Sequence, residues 1–93
     1  MRIEYDANKD LANQEKHGIS LAFARELDWD DALVWVDERF DYGEVRMIAL
    51  APEMETLYYV AFVDRGHGRN EVRRIISLRR ANRREVKFYV ENI

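Results

Sequence analysis

Ninety-three residues, 47% hydrophobic and 35% charged, make a single globular domain with a modest core and exclude a disordered chain. The absence of cysteine excludes a disulfide scaffold and a thiolate metal site, and suits a reducing compartment. The net charge of −3 argues against nucleic acid until its distribution is read: residues 1–64 hold six basic and fifteen acidic side chains, net −9, and residues 65–93 hold nine basic and three acidic ones, net +6. That asymmetry points to a polyanion site on one part and a cation-facing surface on another, or to two halves that neutralise each other across the fold.

No apolar run approaches the roughly 18 residues of a membrane span. Glu4, Asp6, Lys9, Asp10, Glu15 and Lys16 are unlike a secretory leader, so the expectation is a cytoplasmic protein with no membrane partner. Two histidines and no phosphate-loop pattern argue against a zinc enzyme or a nucleoside-triphosphate enzyme, and no metal or cofactor is expected.

Along the chain, residues 8–16 predict a short helix with Leu11, Ala12 and Glu15 on one face and Gly18 as its stop. Ser20 is positioned to cap a second helix carrying Leu21, Phe23, Ala24 and Leu27. The pattern then changes to that of strands, at residues 32–36, 45–51, 57–63 and 71–78, which suits an antiparallel meander. Turns are expected at Ala51-Pro52-Glu53, Asp41-Tyr42-Gly43-Glu44 and Arg65-Gly66-His67-Gly68. Arg73 and Arg74 fall on opposite faces of the last strand, so a basic site there recruits at most one of them. Residues 82–91 predict a closing helix, with Asn82 and Glu85 as a capping box and Val86, Tyr89 and Val90 as its apolar stripe. Phe88 lies off that stripe, free to meet a partner or a neighbouring loop. The expected class is α+β: two N-terminal helices, a four-stranded antiparallel sheet and a C-terminal helix.

Between Arg73 and Arg84 six arginines fall within twelve positions, running from a strand into a helix N-terminus. Guanidinium forks match phosphate oxygens two at a time, and a helix N-terminus adds oriented N–H groups, so the run reads as a phosphodiester site. The competing reading is that these arginines pair with the acidic first half or solvate a surface. His17, with an ordinary pKa near 6.5, is the candidate for proton transfer, unless it merely caps the first helix. Lys16 beside it offers charge to a phosphate. His67, between two glycines, reads as a surface residue, and Trp29, Trp35 and Tyr89 as packing residues, with contact to a base or ribose as the alternative. The acid-rich stretch Asp28, Asp30, Asp31, Asp37, Glu38, Asp41, Glu44 lacks the spacing of a metal site and suits docking of a basic partner.

Three segments together resemble a known family. Tyr5-Asp6-Ala7-Asn8-Lys9 followed by Asn13 and Lys16-His17-Gly18-Ile19-Ser20, then Gly43-Glu44-x-Arg46 with Asp64-Arg65-Gly66, then Arg74-Ile75-Ile76-Ser77-x-Arg79-x-Ala81-x-Arg83-Arg84-Glu85, are similar in order and spacing to BrnT-type toxins. The chain departs from the family pattern at Leu21, where a phenylalanine is usual, and at Ala49-Leu50-Ala51, where Ala-x-Gly is common. The resemblance implies a RelE-like fold and metal-independent endoribonuclease activity that inhibits translation. It also implies neutralisation by a BrnA-type antitoxin with a ribbon-helix-helix domain, through which alone operator DNA would be bound. On this reading His17, Arg65 and Arg79 are the catalytic residues, and Lys16, Arg74, Arg80 and Arg84 hold RNA phosphates. The rival reading is a non-catalytic RNA-binding or repressor-complex module, an inactive relic of such a toxin.

Overall fold

The computed structural model describes residues 1–39, 41 and 43–93. Among the described residues the chain is α+β, with a five-stranded mixed sheet in the order β1-β5-β4-β3-β2. The strands are β1 (Arg2–Glu4), β2 (Leu33–Val36), β3 (Met47–Glu53), β4 (Thr56–Arg65) and β5 (Val72–Arg80), and the α-helices are α1 (Ala7–His17) and α2 (Arg83–Asn92). Neighbouring strands are antiparallel except β1, which runs parallel to β5 through the pairs Arg2↔Val72 to Glu4↔Arg74.

The expectation of two N-terminal helices and a four-stranded antiparallel sheet is therefore corrected in two places. A three-residue strand precedes α1, too short to show a period of two and paired with residues seventy positions on. The second helix is instead a six-residue 3-10 helix, Leu21–Glu26, although Ser20 caps it as expected by accepting from the Ala22 N–H. The tighter winding drops Leu21, Ala24 and Leu27 into the core beneath the sheet. The turn expected at residues 51–53 is a further correction: Pro52 is the last residue but one of β3, paired with Leu57, and its carbonyl accepts from the Asp28 N–H at 2.8 Å. Proline is tolerated there because it lies near the end of the strand. Tyr42, within the turn expected at 41–44, lies outside the described residues.

Residues directly paired across strands share a face. The rows Ala49–Val60–Leu78 and Met47–Phe62–Ile75 face the 3-10 helix and carry the core, while Val34 and Val36, paired at their β2 ends, stay exposed. The row Leu33–Leu50–Tyr59–Arg79 faces the other way, toward α2. A bulge between Ala61 and Phe62 lets Ile75 and Leu78 both reach the core face.

Helix α1 does not dock through Leu11, which is 61% exposed. Its inward face is polar. Asp10 accepts from Ser20 Oγ at 2.9 Å and from the Leu21 N–H at 2.7 Å, closing the corner after the helix. Asn13 is buried and grips the backbone of β5: its Nδ2 donates to Leu78 O at 2.8 Å, and its Oδ1 accepts from Leu78 N at 3.1 Å. The same Nδ2 donates to Ile19 O at 2.8 Å. Because β1 pairs only with residues 72–74, the later part of β5 has no strand on that side, and the carboxamide takes the place of one. Asn13→Ala takes the partner from the buried carbonyl and N–H of Leu78 and from the part-buried carbonyl of Ile19, and is expected to destabilise the fold by about 2–3 kcal/mol in urea melts.

Candidate nucleic-acid interface

The Asn13 clamp sets the geometry of the basic corner. His17 lies one helical turn beyond Asn13, and Arg79 follows Leu78, so fixing one pair brings the other together. Gly18 ends α1 in the left-handed conformation, φ 71°, with its N–H on Gln14 O at 2.8 Å, so the chain turns away directly after the imidazole. Burial, then the charges of Lys16 and Arg79, push the His17 pKa below its ordinary value of 6.5. The shift favours the uncharged ring, whose nitrogen lone pair can take a proton.

Arg79 stands on the α2 face of the sheet, its guanidinium 4.1 Å from the centre of the Tyr59 ring. Glu85, in the first turn of α2, accepts from both of its terminal nitrogens at 2.8 Å. The hydrogen bond to Glu85 raises the Arg79 pKa further. Burial pushes the Glu85 carboxyl up, but hydrogen bonds from Arg79 and the Asn82 N–H outweigh it and hold the carboxyl below its ordinary range. The expected capping box is present, Asn82 accepting from Glu85 N and Glu85 from Asn82 N, each at 2.8 Å. One carboxylate thus fixes both the start of α2 and the plane of Arg79.

Arg80, on the opposite face, lines a hollow of about 460 Å³ with Gly18, Ser20, Phe23 and Tyr58. Arg83 and Arg84 open α2, where helix N–H groups add positive potential. Among the described residues no ion pair within 4.0 Å involves Lys16, Arg80, Arg83 or Arg84. The rest of the arginine run is neutralised. Arg73 makes two hydrogen bonds to Asp64, at 2.8 and 2.9 Å, and lies 4.5 Å from the Trp29 ring centre and 4.3 Å from that of Phe62. Arg74, on the other face as the alternation requires, pairs with Glu4 at 3.1 Å. Arg65 pairs with Glu44. It sits six residues along β4 from Tyr59, about 20 Å away at 3.3 Å per residue, so the structure does not bring it to the corner with His17 and Arg79.

Helix α2 meets the sheet differently from its expected stripe. Phe88 packs edge-on against Trp35 at 5.8 Å, and Tyr89 donates its hydroxyl to Asp31 O at 2.7 Å, while Val86 and Val90 are exposed. Burial, with the charges of Asp31 and Asp28, raises the Tyr89 pKa. Trp29 is a packing residue, its Nε1 on Ala24 O and its ring edge-on to Phe62 at 5.4 Å. His67 is exposed in the β4–β5 connection. The acidic cluster lies beside β2: a hydrogen bond with Asp28, then the charges of Asp28 and Asp30, raise the Asp31 pKa. Among the described residues no group of three or more histidine, aspartate or glutamate side chains is placed to hold a metal ion. No described helix is long and apolar enough to cross a membrane.

Asn13 and Glu85 organise the corner, and sequence reasoning assigned neither to it. The signal for Asn13 was its place in the segment Asn13-x-x-Lys16-His17-Gly18, and that for Glu85 its place at the end of the arginine run. Residues 5–85 match the family model described as ribonuclease toxin, BrnT, of type II toxin–antitoxin system. No curated protein matches the chain.

The sign of the His17 shift is measurable by proton NMR. Its titration midpoint is expected below 6.5 and to move upward in Arg79→Gln, which removes one of the two repelling charges. Since the folded state disfavours the imidazolium, the stability contributed by His17 is complete above about pH 6.5 and lost as pH falls toward the folded midpoint.

Proposed function

The chain belongs to the BrnT family of ribonuclease toxins of type II toxin–antitoxin systems, and on that premise we propose that it is a metal-independent endoribonuclease whose reaction is run by the corner of His17, Arg79 and the cations around them. The observation that carries the reading is the Asn13 clamp on Leu78, which sets His17, one helical turn on, toward the end of β5 where Glu85 fixes the Arg79 guanidinium. RNA carries its own nucleophile, so the protein need supply only proton transfer and charge. His17 takes the proton of a 2′-hydroxyl as its oxygen attacks the adjacent phosphorus. The P–O5′ bond breaks, and the products are a 2′,3′-cyclic phosphate and a 5′-hydroxyl end once the leaving oxygen is protonated. Arg79, held flat by Glu85, stabilises the extra negative charge on the phosphorane. Lys16, Arg80 and Arg84, free of ion pairs in the described residues, hold flanking phosphates. Arg74 and Arg65, each paired with a glutamate away from the corner, have no part in this mechanism.

The partner in this reading is a BrnA-type antitoxin with a ribbon-helix-helix domain, and the complex acts on operator DNA through that domain. A basic antitoxin segment suits the cluster of Asp28, Asp30 and Asp31, whose mutual repulsion a cation would relieve. Cleavage of messenger RNA in the cytoplasm, and with it loss of translation, is the biological consequence.

Incubation of the purified antitoxin-free chain with RNA in EDTA tests chemistry and metal need together. Cleavage is expected to continue in the chelator and to fall by about 10²-fold or more in His17→Ala and by about 10²–10³-fold in Arg79→Ala. Arg65→Ala is expected to cut at close to the parent rate, and loss of cleavage there would return Arg65 to the site. Folded protein that cleaves nothing, and whose expression without antitoxin is tolerated, would establish the non-catalytic module instead.

A further inference from the structure

Three aromatic rings from three different elements surround a hollow that the protein's own side chains leave unfilled. Trp35 of β2, Tyr59 of β4 and Phe88 of α2 line a space of about 360 Å³ with Leu50 below and Arg84 and Glu85 at the rim. Trp35 remains 37% exposed and Phe88 49% exposed. One face of the Tyr59 ring is taken by Arg79. The cavity lies within the size range of small-ligand pockets, about 300–1,000 Å³.

We propose that this hollow is a base-binding subsite, which takes one unstacked nucleobase of the RNA against the exposed side of the edge-on Trp35–Phe88 pair while the phosphate attached to it rests on Arg84. The inference rests on the ribonuclease reading and adds to it where a base is held. Charge decides the occupant. The walls are apolar and suit any flat or greasy group, but the polar groups at the rim are an arginine without an ion pair in the described residues and a carboxylate already committed to Arg79 and the Asn82 N–H. Arg83, likewise without an ion pair, adjoins the rim on the first turn of α2. An apolar side chain of a protein partner would fill the walls and leave this cation unanswered. A nucleotide answers both, because its flat base stacks on aromatic rings and its phosphate is an anion. The position also suits the reaction. Arg79 stacks on the Tyr59 ring and is held by Glu85, and both Tyr59 and Glu85 line the hollow, so a base there lies next to the guanidinium assigned to the reacting phosphate.

The test uses the full antitoxin-free chain and two probes, a short 2′-O-methyl oligonucleotide, which has no free 2′-hydroxyl to attack, and an abasic strand of the same length and charge. The oligonucleotide is expected to quench tryptophan fluorescence, and the quenching to vanish in Trp35→Phe, since Trp29, partly buried against the core and stacked with Arg73, does not line the hollow. Phe88→Leu, which keeps an apolar anchor for α2, is expected to weaken oligonucleotide binding about tenfold, the effect of losing one stacking partner. Phe88→Tyr is expected to restore it, and the abasic strand to bind weakly and equally to the parent and both Phe88 variants. Equal binding of base-containing and abasic strands overturns the subsite, as does binding without any change at Trp35. A tryptophan signal that responds to the antitoxin but not to RNA overturns it in favour of a protein occupant. If RNA is cleaved while Trp35 stays silent, the subsite fails and the ribonuclease reading stands. If neither strand binds at all, the ribonuclease reading fails with it.

Discussion

A single carboxamide holds this molecule in its working arrangement. Asn13 bonds both backbone groups of Leu78, sixty-five residues away, and the carbonyl of Ile19. An open strand edge is a liability, and a helix laid along it needs hydrogen-bonding groups rather than methyls to make the join. That is why the inward side of α1 is built from Asp10 and Asn13 and why Leu11 faces water. The consequence reaches the chemistry, because the last residue of α1 is His17 and the residue after Leu78 is Arg79.

The arginine run is divided by what each member touches. Arg73 and Arg74 complete a structural layer, one stacked on Trp29 and Phe62 and paired with Asp64, the other joined to Glu4. Arg79 is also paired, but with a carboxylate from the same cluster, so the pairing orients it without removing it from the corner. Arg80, Arg83 and Arg84 keep their charge facing outward. The competing idea that arginines cancel the acids of the first half is thus correct for Arg65, Arg73 and Arg74 and does not extend to the end of β5.

Helix α2 links the corner to the second face of the sheet. Its capping carboxylate binds Arg79, Phe88 leans on Trp35, and Tyr89 reaches the carbonyl of Asp31 beside the acidic cluster. These few contacts leave space between helix and sheet, and leave Val86 and Val90 outside it. The same helix therefore borders the basic corner, the aromatic hollow and the acidic surface, three places where charge or apolar area remains to be matched by another molecule.

Much of the local architecture was legible in the residues. Gly18 as a helix stop, Ser20 as a cap, the Asn82–Glu85 capping box and the four longer strands all follow from short-range chemistry that operates within a few residues of itself. The opposite-facing Arg73 and Arg74, and the separation of charge between the two halves, needed only alternation and counting. Hidden from that reading were β1, the 3-10 winding of Leu21–Glu26, the orientation of α2 and the clamp at Asn13, since each is settled by a partner distant in sequence. Residue types determined that a polyanion site was available, but pairing across the fold decided which arginines are spent on carboxylates and which histidine stands beside them. A side chain's charge belongs to the chain, whereas its neutralisation depends on what folding places within 4 Å of it.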